Sequence, residues 1–341
     1  MKATAPAPRW TAPKYTPPKA FAKAVLPTPV PIAALMDIVS YNRDGRSPGE
    51  RIVIERYIEA LDGVVSDDYG NYWLEIRLPD GGRASSMFTA HTDTVHSISE
   101  DPQQHKLAIR DGILSRRGGG VLGADDGTGM WLLLNMIAQQ VPGIYVFFRD
   151  EETGGGGSSY VAKHKIVDLS HIKRCISFDR KATSHVITHQ AGGRCCSDAF
   201  ANALAGQLNG LSFGFAFAPN DGGSFTDSAN FTDQIPECTN LSVGYYDQHF
   251  DTECQDLTFA SRLALALARV DWEALPAERD PKDTDDEHGW RYSGFNGYRS
   301  FLGDDEMVSL IERYPDEVAE ILEQLGWDAD TLRDQIAELL A

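Results

Sequence analysis

Short apolar segments alternate with amphipathic segments through most of this 341-residue chain. The candidate strands are SSMFTA at 85–90, IYVFF at 144–148, RCISF at 174–178, LSFGFAFA at 211–218 and CTNLSVG at 238–244. Between them lie segments with helical spacing, such as GTGMWLLLNMIAQQ at 127–140. Strands that alternate with helices indicate a mostly parallel sheet covered on both faces. We therefore expect an α/β fold, a three-layer α-β-α sandwich with a mostly parallel, mixed central sheet.

The two ends of the chain differ from its middle in composition. Residues 1–30 are rich in proline and carry basic but no acidic residues, which predicts a Pro-rich basic arm that is extended or disordered. We assign residues 31–273 to the catalytic α/β domain. The acidic, glycine-containing segment 274–303 is predicted to be a linker, and 304–341 an acidic helical appendage. These terminal segments suggest a homo-oligomer or a protein partner.

The charge and the apolar pattern exclude several classes of function. A net charge of −19 argues against nucleic acid as a partner. The sequence contains no run of 18 apolar residues, the length needed for a membrane-spanning helix. The segment MKATAPAPRW lacks the apolar region of a secretory signal. We therefore expect a cytoplasmic protein with no membrane partner. The five cysteines form no C-x-x-C pair, which favours buried free thiols over disulfides.

Residues that can bind metals follow three of the predicted strands. SSMFTA leads into His91 and Asp93, IYVFF into Glu151 and Glu152, and RCISF into Asp179. The carboxyl ends of parallel strands meet at one edge of a sheet, where ligands bind. The sequence therefore predicts that these side chains share a site.

Two further stretches of sequence supply a carboxylate and an imidazole that could also bind metals. Asp125 lies in LGADDGTG, just before a predicted helix, and His249 lies in YYDQHFDTE, after a predicted strand. A mixed set of histidine and carboxylate ligands suits Zn²⁺, with Co²⁺ or Mn²⁺ as substitutes.

The segments HTDTV, GADDGTG and DEETGG, together with Asp179 and His249, resemble the five successive motifs of the co-catalytic di-zinc exopeptidases. The resemblance covers roughly residues 31–273. It implies two zinc ions per chain, both bound by Asp125. His91 and Asp179 would complete one site, and Glu152 and His249 the other.

The same resemblance implies roles for the neighbouring residues. Glu151 would be the general base that activates a metal-bridged hydroxide for attack on the N-terminal peptide bond. Asp93, on the same strand face as His91, would orient its imidazole. The Asp125–Asp126 peptide would be cis.

The spacing of the ligands distinguishes two branches of the superfamily. The deacetylase and carboxypeptidase branch carries a lid domain between the fourth and fifth ligands, whereas here only 70 residues separate Asp179 from His249. The chain is therefore more similar to the lidless aminopeptidases. Two alternatives stay open: an amidohydrolase or carboxypeptidase that acts on N-acyl amino acids or peptide C-termini, and a non-catalytic binding protein on the same fold.

Overall fold

A computed structural model describes residues 28–96 and 104–282, which belong to one compact unit, Met1–Trp290. Most of the predicted basic arm, part of the acidic linker and all of the helical appendage at 304–341 lie outside the described residues. The domain boundaries therefore remain a prediction.

The described residues form six α-helices and fourteen strands. The helices are α1 (Ile32–Ile38), α2 (Pro48–Val53), α3 (Ala124–Ala138), α4 (Gly156–His164), α5 (Asp198–Gly210) and α6 (Leu257–Leu267), with a π-helical turn at Ile54–Ile58 and a 3-10 helix at Asp227–Phe231. The strands are β1 (Val65–Ser66), β2 (Tyr72–Ile76), β3 (Ser86–His91), β4 (Leu107–Arg110), β5 (Ile113–Arg116), β6 (Gly143–Phe148), β7 (Arg174–Arg180), β8 (His185–Ile187), β9 (His189–Gln190), β10 (Gly193–Arg194), β11 (Ala218–Asn220), β12 (Glu237–Ser242), β13 (Tyr245–Tyr246) and β14 (Cys254–Asp256).

The central sheet has eight strands in the order β1-β2-β6-β3-β7-β12-β8-β11. Its four middle strands, β6, β3, β7 and β12, are parallel, whereas β2 and β8 run antiparallel to their neighbours β6 and β12. One face packs against α1, α3, α5 and α6, and the other against α4 and the 3-10 helix. The α/β prediction is confirmed, because the buried parallel strands are the short apolar runs in the sequence.

Local sequence signals explain where helices start. The Ser47 hydroxyl accepts the Glu50 N–H at 3.2 Å, and Pro48 occupies the first helical position of α2. Glu50 itself does not close a capping box. Its buried carboxylate accepts the Arg46 N–H and the Thr92 hydroxyl instead, so it joins this helix to the end of β3.

The prediction of a strand at 211–218 is wrong. Only Ala218–Asn220 pairs in the sheet, beside β8, and Gly214 has a left-handed φ of 73°. The side chain of Asn209 bonds both the N–H and the carbonyl of Phe217, so this backbone needs no strand partner. The alternating aromatics pack on one another and on Phe259 instead of forming a sheet face.

A small second sheet was absent from the sequence-based prediction. It contains β13, β14, β5 and β4 in that order, all antiparallel. The connection between β13 and β14 carries His249, so this sheet places one candidate ligand next to the carboxyl edge of the main sheet.

The remaining sequence predictions about the chain ends and thiols fall partly within the described residues. All five cysteines are free thiols, four of them buried, as predicted.

At the start of the predicted linker, Leu275 is buried, and the N–H groups of Glu278 and Arg279 bond Glu237. Within the described residues, no helix is long and apolar enough to cross a membrane.

Candidate metal centre

The structure brings all five predicted ligands together at the carboxyl edge of the central sheet. His91 ends β3, Asp179 lies near the end of β7, and Glu152 follows β6. Asp125 lies at the start of α3, and His249 extends from the small sheet with a left-handed φ of 69°. Their ligand atoms form two clusters within the described residues, each no more than 4.8 Å across.

The first cluster contains His91, Asp125 and Asp179. The His91 Nε2 atom lies 3.1 Å from Asp125 Oδ1 and 3.7 Å from Asp179 Oδ1. All three side chains are less than a tenth exposed, at 1%, 9% and 8% respectively. This cluster therefore lies at the floor of the site.

The second cluster contains Asp125, Glu152 and His249. The His249 Nε2 atom lies 3.2 Å from Asp125 Oδ2 and 3.1 Å from Glu152 Oε2. Because the His249 side chain is 46% exposed, this cluster opens to solvent. Asp125 presents Oδ1 to the first cluster and Oδ2 to the second, and so stands between the two. The Asp125–Asp126 peptide is cis, as predicted.

Glu151 and Asp93 lie beside the first ligand cluster. Glu151 Oε2 is 3.9 Å from His91 Nε2, on the first cluster. The two carboxylate oxygens of Asp93 accept the N–H groups of Glu151 and Glu152, at 3.1 and 3.0 Å. His91 Nδ1 lies 3.1 Å from the backbone carbonyl oxygen of Asp93 and 3.4 Å from Asp93 Oδ1. Asp93 thus positions the imidazole of His91 and the backbone of the Glu151–Glu152 pair.

Two hydroxyl groups that sequence reasoning missed hold Asp179 in place. Thr226 donates its hydroxyl to Asp179 Oδ2 at 2.6 Å, and Tyr245 donates to Oδ1 at 3.0 Å. Both residues are buried. The carboxylate therefore has a fixed orientation with Oδ1 towards His91.

A fully buried arginine links two of the segments that carry ligands. Arg43 donates to the carbonyl oxygens of Thr92, Gly123 and Ile38 at 2.9 to 3.0 Å. Thr92 follows His91, and Gly123 precedes Asp125 by two residues. Burial lowers the pKa of Arg43, opposed by the charges of Glu253, Asp126, Glu50 and Asp93. Arg43 is therefore a positioning residue, embedded among carboxylates that offset its charge.

Glu253 holds the segment that carries Asp125 from the other side. Its buried carboxylate accepts four consecutive backbone N–H groups, those of residues 122–125, at 2.7 to 3.1 Å. These N–H groups lie just before and within the first turn of α3, where no helical carbonyl is available to accept them. Glu253 therefore fixes the backbone from which Asp125 projects.

Replacing Glu253 by glutamine should destabilise the protein by about 2 kcal/mol or more, because an amide NH2 group would face buried donors that need an acceptor. Urea denaturation of metal-free protein measures the change in the free energy of unfolding. Glu55→Gln, which alters an exposed carboxylate on the π-helical turn, should change it by less than about 1 kcal/mol. Equal effects of the two substitutions would contradict the role of Glu253.

Burial and neighbouring charges shift the pKa values of the side chains in the site. Burial, with the charges of Asp179, Asp227 and Glu152, raises the pKa of Glu151 well above its usual range. Burial and the charge of Asp125 raise the pKa of Glu152 to about 7. Hydrogen bonds to Asp125 and Glu152 raise the pKa of His249 to about 10. The site therefore favours positive charge at its centre.

The residues fit a pair of divalent cations. Glu152 Oε1 is buried and has no hydrogen-bond partner, which leaves it available as a ligand atom beside Asp125 and His249. Each cluster combines one imidazole with two carboxylates, a donor set typical of catalytic zinc sites.

Two histidines next to the site predict a pH dependence of stability. The Nε2 atoms of His96 and His105 lie 3.1 Å apart. Burial, helped by the charge of Arg43, lowers the pKa of His96 to about 3, and burial lowers that of His105 to about 4. Below pH 6.5 these two imidazoles take up protons in the unfolded chain but not in the folded chain, so their contribution to stability should fall from pH 7 towards pH 4.

The slope should be at most about 1.4 kcal/mol per pH unit for each imidazole. Urea denaturation between pH 7.5 and 5 measures it. His96→Gln should flatten the profile, whereas replacing the exposed His164 in the same way should leave it unchanged. A profile that is equally steep in both variants would contradict the assignment.

Several solved structures share this fold. They include aminopeptidase PepT from Bacillus cereus ATCC 10987, with TM-score 0.58, 13% identity, and coverage of 71% of this chain and 97% of that chain. A tripeptidase from Staphylococcus aureus subsp. aureus Mu50 has TM-score 0.55, 15% identity and coverage of 70% and 95%. PhTET1-12s, a dodecamer in its crystal, has TM-score 0.52, 14% identity and coverage of 70% and 97%. A comparison with curated protein sequences gave no match.

Fold and site together define a metal-dependent peptidase of the co-catalytic exopeptidase superfamily, as the sequence motifs indicated. The model of peptidase family M28 matches residues 75–270, which is more than half of the chain. The chain belongs to peptidase family M28.

Proposed function

We propose that this chain is an aminopeptidase that uses two zinc ions to hydrolyse the N-terminal peptide bond of peptides. The observation that carries the proposal is the position of Asp125, whose two oxygens face two separate clusters of ligands. His91, Asp125 and Asp179 would hold one ion, and Asp125, Glu152 and His249 the other. Bound zinc would polarise the scissile carbonyl and lower the pKa of a water molecule.

Glu151 would move the proton in this reaction. Its carboxylate lies beside the first cluster without belonging to either cluster, so it can take a proton from the attacking water and give it to the leaving amine. Asp93 would act through His91. An Nδ1–H held by Asp93 leaves the Nε2 lone pair for a metal ion, and this carboxylate also fixes the backbone of Glu151.

The segment between Asp179 and His249 favours an aminopeptidase over the branch with a lid. It contains α5, the 3-10 helix and short strands that pack into the catalytic domain, which leaves no length for a separate lid domain. The rim near His249 is open, with Phe250 exposed by 68%. Among the described residues, this rim leaves a path from solvent to the centre for a peptide with a free N-terminus.

An activity panel tests the proposal. Leucine p-nitroanilide should be hydrolysed, the reaction should stop with a chelator, and zinc should restore it. N-acetyl-leucine and peptides with a blocked N-terminus should not react. Preferential turnover of the blocked substrates would favour the amidohydrolase or carboxypeptidase instead. No turnover of any substrate by zinc-loaded protein would favour the binding protein.

Self-association is part of the proposal, in line with the dodecameric structure that shares the fold. Light scattering after gel filtration of the full chain should give a mass of two or more times 37.5 kDa. A monomer at all concentrations would contradict it. A cytoplasmic location also remains a prediction from the sequence.

A further inference from the structure

A cavity of about 350 Å³ lies beside the segments that carry Asp125 and His249. Its lining includes His96, Arg116, Gly118–Gly120, Val121 and Asp251. Two of its walls continue into segments that carry ligands, since Val121 precedes Asp125 by four residues and Asp251 follows His249 by two. An extended chain spans at most about 3.6 Å per residue, so Asp251 and His249 are separated by no more than about 7 Å of backbone.

Arg116 supplies a cationic group to the wall of this cavity. Its Nη1 atom lies 3.5 Å from the Val121 carbonyl oxygen, a marginal hydrogen bond. Among residues 28–96 and 104–282, no carboxylate forms an ion pair with its guanidinium, although the exposed Asp251 lines the same cavity. His96 adds no positive charge at neutral pH, because burial lowers its pKa to about 3.

The neighbouring glycines leave room around this guanidinium. A Cβ atom on Gly120 would lie 3.0 Å from Arg116 Nη1, so only glycine lets the guanidinium pack so closely. A Cβ on Gly118 would meet nothing within 4 Å, which indicates open space beside that residue. All three glycines have φ values between 85° and 107°, a region that residues with a side chain rarely adopt.

We propose that the guanidinium of Arg116 forms a subsite for a carboxylate of the substrate, in the cavity beside Gly118–Gly120. A guanidinium binds a carboxylate through two parallel hydrogen bonds, whereas the N–H groups of Gly119 and Gly120 already donate to the carbonyl oxygens of Arg116 and Asp251. A substrate carboxylate that enters a site rich in Asp and Glu also needs a local cation to offset repulsion. The proposal rests on the proposed function and names its substrate class, peptides with a carboxylate close to the scissile bond.

This carboxylate has two sources, the C-terminus of a di- or tripeptide and an aspartate or glutamate side chain. Three substrates separate them: leucyl-glycine, leucyl-glycinamide and leucyl-aspartic acid α-amide. Arg116→Gln should lower kcat/KM by about tenfold to a hundredfold for the substrate whose carboxylate is bound, and by less than about twofold for leucyl-glycinamide. The matched control is Arg117→Gln, which alters the exposed neighbour outside the cavity and should lower none of them.

A dependence on Arg116 for leucyl-glycine assigns the C-terminal carboxylate, and a dependence for the aspartic acid amide alone assigns the side chain. Equal losses for all three substrates, or equal effects of Arg116→Gln and Arg117→Gln, would overturn the proposal. Calorimetric binding of leucyl-glycine and leucyl-glycinamide to the zinc-loaded Glu151→Gln variant gives a readout without turnover. If no peptide is hydrolysed, the proposed function fails, while a difference in binding that disappears with Arg116→Gln would still support the subsite.

Discussion

Glu151→Gln should lower kcat for leucine p-nitroanilide by about 10²- to 10⁴-fold, the contribution expected of a general base. The amide keeps the size of the side chain but cannot take the proton of the attacking water. Two zinc ions should remain bound, because neither cluster includes a Glu151 oxygen. Steady-state kinetics and the zinc content of the same sample measure both quantities.

Substitution of the adjacent Glu152 is the comparison for Glu151→Gln. Glu152→Gln should lower both turnover and zinc content, because Glu152 Oε2 faces His249 and its other oxygen is free to act as a ligand atom. The Glu151 variant would then lose activity while it keeps its zinc, whereas the Glu152 variant would lose activity together with zinc. Loss of zinc from Glu151→Gln, or full activity in that variant, would show that the roles are assigned wrongly.

Asp125→Asn should weaken both metal sites at once. Each cluster depends on one oxygen of this carboxylate, and the amide has only one oxygen and no charge. We expect bound zinc to fall from two ions per chain towards none at chelator concentrations that leave the native sites full. Competition with a chromogenic chelator measures both affinities.

His249→Ala is the comparison for this substitution. His249 belongs to the solvent-exposed cluster alone, so its loss should weaken one site and leave the site of His91 and Asp179 occupied. If Asp125→Asn and His249→Ala released the same single ion, Asp125 would not be shared between the sites. Circular dichroism of both variants checks that the fold is retained.

The sequence pointed to the ligands because their placement follows from strand topology. His91 and Asp179 lie at the ends of buried apolar strands, and parallel strands bring such ends to one edge. Asp125 and His249 were identified from their motifs. The position of His249 depends on a small sheet whose strands have only two to four residues, too short to show a period in the sequence.

The buried charged residues that hold the ligand segments in place, Arg43 and Glu253, could not be recognised from strand topology. Arg43 and Glu253 look like ordinary surface residues in the sequence, since their partners at Gly123 and residues 122–125 are 80 or about 130 positions away. Burial of a charge is decided by such distant hydrogen bonds, and no local pattern reports it. The prediction of a strand at 211–218 was wrong for a related reason. The side chain of Asn209 bonds the Phe217 backbone in place of a neighbouring strand, and the sequence does not show this contact.

Anomalous scattering from crystals of the zinc-loaded protein, recorded above and below the zinc absorption edge, tests the two-metal centre directly. We predict two zinc peaks per chain, one between His91 and Asp179 and one between Glu152 and His249, with Asp125 in contact with both. A single peak, no peak, or zinc bound only at other residues would contradict the account.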